Sequence, residues 1–266
     1  MRRREPAVAG TFYPGDAVRI ASFVAPYAGA SAGQQRARVL VGPHAGYVYS
    51  GAICGDGYAT VQVPDTVVVM GPNHTGRGQP NAIYAHGVFL LPGGEVPVDE
   101  ELARLLSERM GLVDDESAHR REHSIEVHLP FLRAKNPNLK IVPICLGHLR
   151  YDTCERMGRG LAEVLSTRKD VLVVVSTDMS HYIPADMASR LDHMALDEVC
   201  AVEPRRLFDT VIDNDISMCG FIPTTVALTA ARALGSREGR LVRYGNSGET
   251  SGDYSRVVGY ASAVIT

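Results

Sequence analysis

The sequence predicts an α/β fold with a mainly parallel central sheet flanked by helices, and three observations predict it. Short Val-rich runs occur at Val39-Leu40-Val41, at Val67-Val68-Val69 and at 171–175, each bounded by turn residues. Such runs read as strands buried on both faces, the pattern of a parallel sheet. Segments of helical length stand between them, so strand and helix alternate along the chain. Each run also ends in a turn that delivers a histidine: Gly42-Pro43-His44, Gly71-Pro72-Asn73-His74 and Ser176-Thr177-Asp178-Met179-Ser180-His181. Ligands of such sheets bind beyond the carboxyl ends of the strands, so the three histidines are predicted to converge on one crevice.

The elements follow in order. Residues 17–25 read as a helix stopped by Pro26. Strands fall near 37–42 and 66–71, and the segment 47–59 between them carries Gly51, Ala52, Gly55 and Gly57, suited to a closely packed helix. Residues 82–98 hold two apolar runs around Pro92-Gly93-Gly94, a hairpin signal. Residues 99–110 form an amphipathic helix with an acidic first turn, Leu102, Leu105 and Leu106 on one face, and Gly111 as its stop. A strand at 140–145 precedes a helix near 151–166, and a strand at 171–176 precedes a helix near 185–201. A helix near 221–234 ends at Gly235, and strands near 240–245 and 256–265 flank a polar loop at 245–253. The hairpins predict antiparallel additions at a sheet edge. No linker, low-complexity tract or tandem repeat divides the chain, so residues 1–266 read as one domain.

Bulk properties exclude several classes. Apolar residues make up 45% of the chain and charged residues 21%, ordinary for a globular protein. The net charge of −3 gives no basic footprint for nucleic acid, and Arg2-Arg3-Arg4 reads as a solvated terminus. No apolar run reaches membrane-spanning length, and Glu5, Pro6 and Gly10 leave no signal-peptide core, so the expected location is the cytoplasm. The five cysteines are odd in number and widely spaced, which argues against a disulfide framework. Cys54, Cys145 and Cys200 read as small core residues, and Cys154 as a helix position near the surface.

Several motifs carry chemistry. His44 and His74, each after a Gly-Pro step and beside small residues, are candidates for one site; the plain alternative is a cap or a carbonyl bond. Glu122-His123-Ser124-Ile125-Glu126-Val127-His128 packs four ionisable side chains into seven positions without forming HExxH or HxxEH. On a helix Glu122 and Glu126 would share a face, while His123 and His128 would stand about 140° apart. His123 is therefore assigned to the site and His128 to a structural partner, with the roles of Glu122, Glu126 and His128 open. Asp178 and His181 pair a carboxylate with an imidazole able to move protons, the alternative being Asp178 as a helix cap. Cys219 precedes a helix, where a thiol pKa is lowered; the alternative is a buried structural cysteine.

Taken in order, these motifs resemble the Memo family, whose microbial members are known as component B of the AmmeMemoRadiSam system. The resemblance rests on the stretch Pro6-Ala7-Val8-Ala9-Gly10-Thr11-Phe12-Tyr13-Pro14, on Pro43-His44-Ala45-Gly46-Tyr47 and Gly71-Pro72-Asn73-His74, and on the run from Glu122 to Pro130. It also includes Ser176-Thr177-Asp178-Met179-Ser180-His181 and Cys219-Gly220. The family is similar in fold to the class III extradiol dioxygenases, which bind non-haem iron through two histidines and a glutamate. The resemblance implies His44 and His74 as metal ligands, His181 as the acid–base residue, and His123 as a histidine contacting oxygen or substrate. It puts Cys219 where the dioxygenases have glutamate, and a softer thiolate admits zinc or copper beside iron. The cofactor expected is one transition metal ion, iron or copper first and zinc after. Animal members are implicated in phosphotyrosine-peptide binding, copper-linked redox chemistry and iron handling. Two functions are thus expected. One is a metal-dependent oxidoreductase of unknown substrate. The other is a non-catalytic peptide- or protein-binding module whose mouth is lined by Phe12, Tyr13 and Tyr47. The partners implied are a small molecule or peptide and other AmmeMemoRadiSam proteins, without nucleic acid or membrane.

Overall fold

The computed structural model describes residues 1–29, 34–168 and 170–266. Its strands are β1 (Arg3–Arg4), β2 (Val39–Gly42), β3 (Thr66–Pro72), β4 (Asn81–Ile83), β5 (Val88–Leu91), β6 (Gly94–Pro97), β7 (Val113–Asp114), β8 (Lys140–Leu146), β9 (Val171–Ser176), β10 (His181–Ile183), β11 (Gly239–Asn246) and β12 (Val257–Ile265). Its α-helices are α1 (Ala17–Ala28), α2 (Ala52–Ala59), α3 (Glu100–Met110), α4 (Glu116–His119), α5 (Leu129–Lys135), α6 (Tyr151–Thr167), α7 (Ala185–Cys200), α8 (Pro204–Asp213), α9 (Phe221–Ala233) and α10 (Gly248–Ser251).

The large sheet runs β10-β12-β2-β9-β3-β8-β4-β7, with β11 also on β12. Its centre, β2-β9-β3-β8, is parallel, and the antiparallel additions are β12 beside β2 and β4 beside β8. Strands β1, β5 and β6 form a separate small sheet. The central strands are buried on both faces, as their continuous Val runs require. Neighbouring side chains point to opposite faces. Leu40 accordingly packs toward α2, while Val39 shares a cavity wall with Ala227 and Ala230 of α9. The fold is therefore α/β, with helices on both faces of a large central sheet.

Register sets the site. Gly42 pairs with Ser176, and Met70 with Val175, so β2, β9 and β3 end level with one another. The turns bearing His44, His74 and His181 all leave from that carboxyl edge. Two cavities of about 620 and 630 Å³ open at the opposite edge, around Arg36 and Arg168, away from the histidines.

Four expectations need correction. Helix α1 runs through Pro26 to Ala28. A proline in the last turn keeps helical φ and forfeits one internal hydrogen bond, to the carbonyl of Ser22, so the helix survives it. The segment 47–59 opens with a π turn, Tyr47–Gly51, before α2 begins. The polar loop 245–253 holds the short helix α10. Cys154 is fully buried, because α6 packs against both α3 and α9. Helix α8 was not anticipated, although Pro204 at its start and Leu207 and Val211 on one face mark it.

Candidate metal centre

Three imidazoles meet at the carboxyl edge. His44, His74 and His123 each offer a nitrogen, and these atoms lie within 4.8 Å of one another. The rings of His74 and His123 stack, with centroids 4.7 Å apart, and His44 meets both edge-on at 5.0 and 5.3 Å. His44 is buried, His123 is half-buried and His74 reaches solvent. His123, placed outside the ligand set by the resemblance, stands inside this cluster.

Each ring is held from behind. His44 follows β2, and its amide donates to Asp178 Oδ1 at 2.8 Å. Its Nδ1 lies 2.7 Å from Ser176 Oγ at the end of β9. Burial, then the neighbouring histidines, hold its pKa well below the ordinary value. His74 follows β3 and sits on Glu122: its amide donates to Oε2 at 2.7 Å and its Nδ1 to Oε1 at 2.8 Å. The amides of His123 and Ser124 also donate to Glu122 Oε1, each at 3.0 Å. Burial alone would raise the pKa of Glu122; the His74 bond and charge and the Ser124 amide bring it down to about 2. Glu122 is therefore an anion that fixes a proton on His74 Nδ1 and turns Nε2 outward. His123 rests edge-on against Phe12, with centroids 4.8 Å apart, and burial lowers its pKa.

The segment 122–128 is a strap across these strand ends, helical only as a single 3₁₀ turn at Glu126–His128. Ser124 Oγ donates to the carbonyl of Pro72, at the end of β3. His128 reaches Ser176 Oγ at 3.0 Å and Tyr58 Oη at 3.0 Å. Burial lowers its pKa to about 3. Glu126 points the other way. It accepts from Arg4 Nη1, from the amides of Ala7 and Val8, and from Tyr13 Oη, which pins the N-terminal segment to the strap. The two Gly-Pro steps make room for it. A Cβ on Gly71 would overlap Ser124 Oγ, and one on Gly42 would stand 3.2 Å from His128 Cε1. Neither glycine has positive φ, so space rather than backbone freedom explains them.

Cys219 lies in the turn before α9, which is anchored to the end of β9 by the Gly220 amide donating to Thr177 Oγ1. Its Sγ is 3.3 Å from His44 Nε2 and accepts the Asp178 amide at 3.2 Å. The expectation of a lowered thiol pKa is reversed. Desolvation by burial, followed by the Asp178 charge, pushes it well up, so without an ion Cys219 is a neutral thiol beside His44.

His181 is half-buried beside the cluster, and the acceptor it bonds is not Asp178 but another. Its amide donates to Ser217 Oγ at 2.8 Å and its Nδ1 to the Ser217 carbonyl at 2.9 Å. Asp178 is not a helix cap either: it holds the His44 turn, with Oδ2 3.8 Å from His44 Nε2. Burial raises its pKa against the His44 amide bond. Tyr13 and Tyr47 do not line a mouth. Both are buried, and their hydroxyls donate to Glu126 Oε1 and to the Val127 carbonyl. Ser176, Glu122, Glu126 and His128 are residues that sequence reasoning left without roles. The signal for Ser176 was a lone hydroxyl ending a Val strand, and for Glu122 a carboxylate next to a candidate histidine.

The donor set suits a transition metal. Three imidazoles, two of them with Nδ1 already bonded, beside a cysteine sulfur could hold iron, copper or zinc rather than an oxygen-seeking ion.

The chain is similar to known proteins over nearly its whole length. The family of Memo-like proteins matches residues 4–264. A MEMO1 family protein of Aquifex aeolicus is 39% identical over 100% of both chains, and one of Methanopyrus kandleri is 36% identical over 98% of both. The uncharacterized protein JW3007 of Escherichia coli K12 superposes with a TM-score of 0.55 at 12% identity, covering 97% of this chain and 98% of its own, which shows a shared fold. With the family match spanning strap, strand ends and Cys219 alike, the chain belongs to the Memo family.

Proposed function

We propose that this Memo-family protein is a metal-dependent oxidoreductase that binds one iron or copper ion, with zinc also accommodated, and takes a small molecule or peptide beside it. The observation that carries the reading is the convergence of His44, His74 and His123 within 4.8 Å, with Cys219 Sγ 3.3 Å from His44 Nε2. His44 and His74 supply two bonds. The third donor follows the softness of the ion: Cys219 for copper(I) or zinc, His123 for iron(II). A bound iron or copper ion would supply electron transfer and Lewis acidity.

The chain's own groups supply the rest. Glu122 holds the His74 ring by its Nδ1 proton and leaves Nε2 as the donor atom. The Ser217 carbonyl fixes the proton of His181 on Nδ1, so Nε2 is the nitrogen free to take or give a proton. The alternative of a metal-free binding module keeps only Phe12, half-buried against His123, of its three aromatic residues, because Tyr13 and Tyr47 are core residues. Other AmmeMemoRadiSam proteins are the partners this reading suggests.

Elemental analysis of anaerobically purified protein, followed by titration with iron(II), copper(I) and zinc(II), tests it. One equivalent of metal is expected, lost in His44→Ala and His74→Ala. Cys219→Ala should weaken copper(I) more than iron(II), and His123→Ala the reverse. Absence of any stoichiometric ion, or undiminished binding in both His44→Ala and His74→Ala, would overturn the proposal.

A further inference from the structure

We infer that His128 and Ser176 are positioning residues that lock His44 in the tautomer presenting a bare Nε2 to the metal pocket. The inference follows from counting protons around one hydroxyl. Ser176 Oγ has three neighbours: the Ser124 carbonyl at 2.6 Å, His44 Nδ1 at 2.7 Å and His128 Nε2 at 3.0 Å. A carbonyl only accepts, so the single hydroxyl proton of Ser176 goes to Ser124. The two lone pairs of Oγ are then left for the imidazoles, and each must donate. His44 therefore carries its proton on Nδ1, and its Nε2 is free for an ion. His128 carries its proton on Nε2, and its Nδ1 must accept.

The far side of His128 agrees. Two donors approach that Nδ1, Tyr58 Oη at 3.0 Å and Cys54 Sγ at 3.7 Å. The chain Tyr58–His128–Ser176–His44 is buried along its whole length. It starts in the core at Tyr58 and ends at the pocket, so from the pocket it leads only inward. Its use is orientation. The strap residue His128 fills the space left by Gly42, which pairs directly with Ser176 in the sheet, and seats the hydroxyl between two rings. His44 is thus held by a neutral hydroxyl and His74 by a carboxylate, two different devices that both leave Nε2 as the ligand atom.

The test has two arms. In the first, ¹⁵N-detected histidine spectra of metal-free wild-type protein read the tautomers directly. His44 should be protonated on Nδ1 and His128 on Nε2; the opposite tautomer at either ring would overturn the lock. This arm needs no metal and no variant, so it stands apart from the proposed metalloprotein function. In the second, zinc(II) alone is titrated into Ser176→Ala and Ser176→Thr. The alanine variant should bind about 10–100-fold more weakly, the usual range for removing a group that orients a ligand histidine. It should also show mixed tautomers at His44, whereas the threonine variant, which keeps the hydroxyl, should restore both. Unchanged tautomers at His44 in a folded Ser176→Ala variant would refute the positioning role. Failure of the wild-type to bind zinc would count against the metal reading alone.

Discussion

Acidification should destabilise this protein through buried neutral histidines, and His119→Leu isolates one of them away from the site. His119 is 1% exposed, wedged edge-on against Tyr84 and Phe89, and neither ring nitrogen has a hydrogen-bond partner among the described residues. Burial, then the Arg4 charge, lowers its pKa to about 3. In the unfolded chain the value returns to about 6.5. The folded pKa lies below the unfolded one, so between those values the unfolded chain binds a proton that the native state does not. Stability from this residue is complete above about pH 6.5, falls as pH drops through the window, and levels off below about 3. Between pH 7 and 5 the loss is about 2 kcal/mol. His128, also near 3, adds a loss of the same size. Together they approach the lower end of a typical total stability of about 5–15 kcal/mol. Asp178 works in the opposite direction, because its raised pKa lets the native state take up a proton first. Glu122, at about 2, contributes only in stronger acid.

The assay is urea unfolding at pH 7 and pH 5. Leucine has nearly the volume of histidine and leaves no polar atom to desolvate, so His119→Leu should be neutral or stabilising at pH 7 by up to about 2 kcal/mol. The advantage of the variant over the parent should then grow by about 2 kcal/mol at pH 5. The backbone carbonyl that accepts Arg4 Nε is untouched by the change. A difference between variant and parent that is the same at both pH values would refute the reasoning.

Other predictions follow the same contacts. Glu122→Gln should weaken zinc binding about 10–100-fold, read by titration calorimetry; parent-like affinity would show that the His74 bond is not what orients the ring. Glu126→Gln leaves Arg4 buried without its anion and should cost about 3–5 kcal/mol in urea unfolding, a cost that a solvated pair would not show. Gly71→Ala pushes on Ser124 and should cost about 1–3 kcal/mol. Adding Ser124→Gly should recover part of that, and strict additivity of the two changes would argue against the contact.

The sheet was legible because burial on both faces leaves a mark that few other structures leave, an unbroken β-branched run. Its histidine turns were legible because they follow those runs directly. The supports behind the rings were not. Ser176 acts on His44 from 132 residues away, and Glu122 on His74 from 48, separations that only the strand register closes. Periodicity also misled at the strap, where a helical wheel placed Glu122 and Glu126 on one face although only Glu126–His128 is helical. The Cys219 expectation failed on magnitude. A helix N-terminus lowers a thiol pKa modestly, and here desolvation and the nearby Asp178 carboxylate outweigh it. Cys154 was misplaced because sequence alone does not tell that α6 is covered from two sides.

The strap explains why four ionisable groups crowd into seven residues. Each faces a different direction and answers a different need: Glu122 orients His74, His123 joins the cluster, Glu126 holds the N-terminal segment, and His128 seats Ser176. A continuous helix would send these side chains around its circumference at about 100° steps, and no such arrangement brings 122 and 128 to two adjacent strand ends at once. The irregular strap does so, and its cost in backbone hydrogen bonds is met by side chains: Glu122 takes the His123 and Ser124 amides, and Ser176 the Ser124 carbonyl. The groups that orient the imidazoles are thus the same groups that satisfy the strap backbone. Substitution at Glu122 or Ser176 should therefore disturb the strap and the orientation of His74 or His44 together, and replacing His74 in turn takes a partner from the buried Glu122 carboxylate.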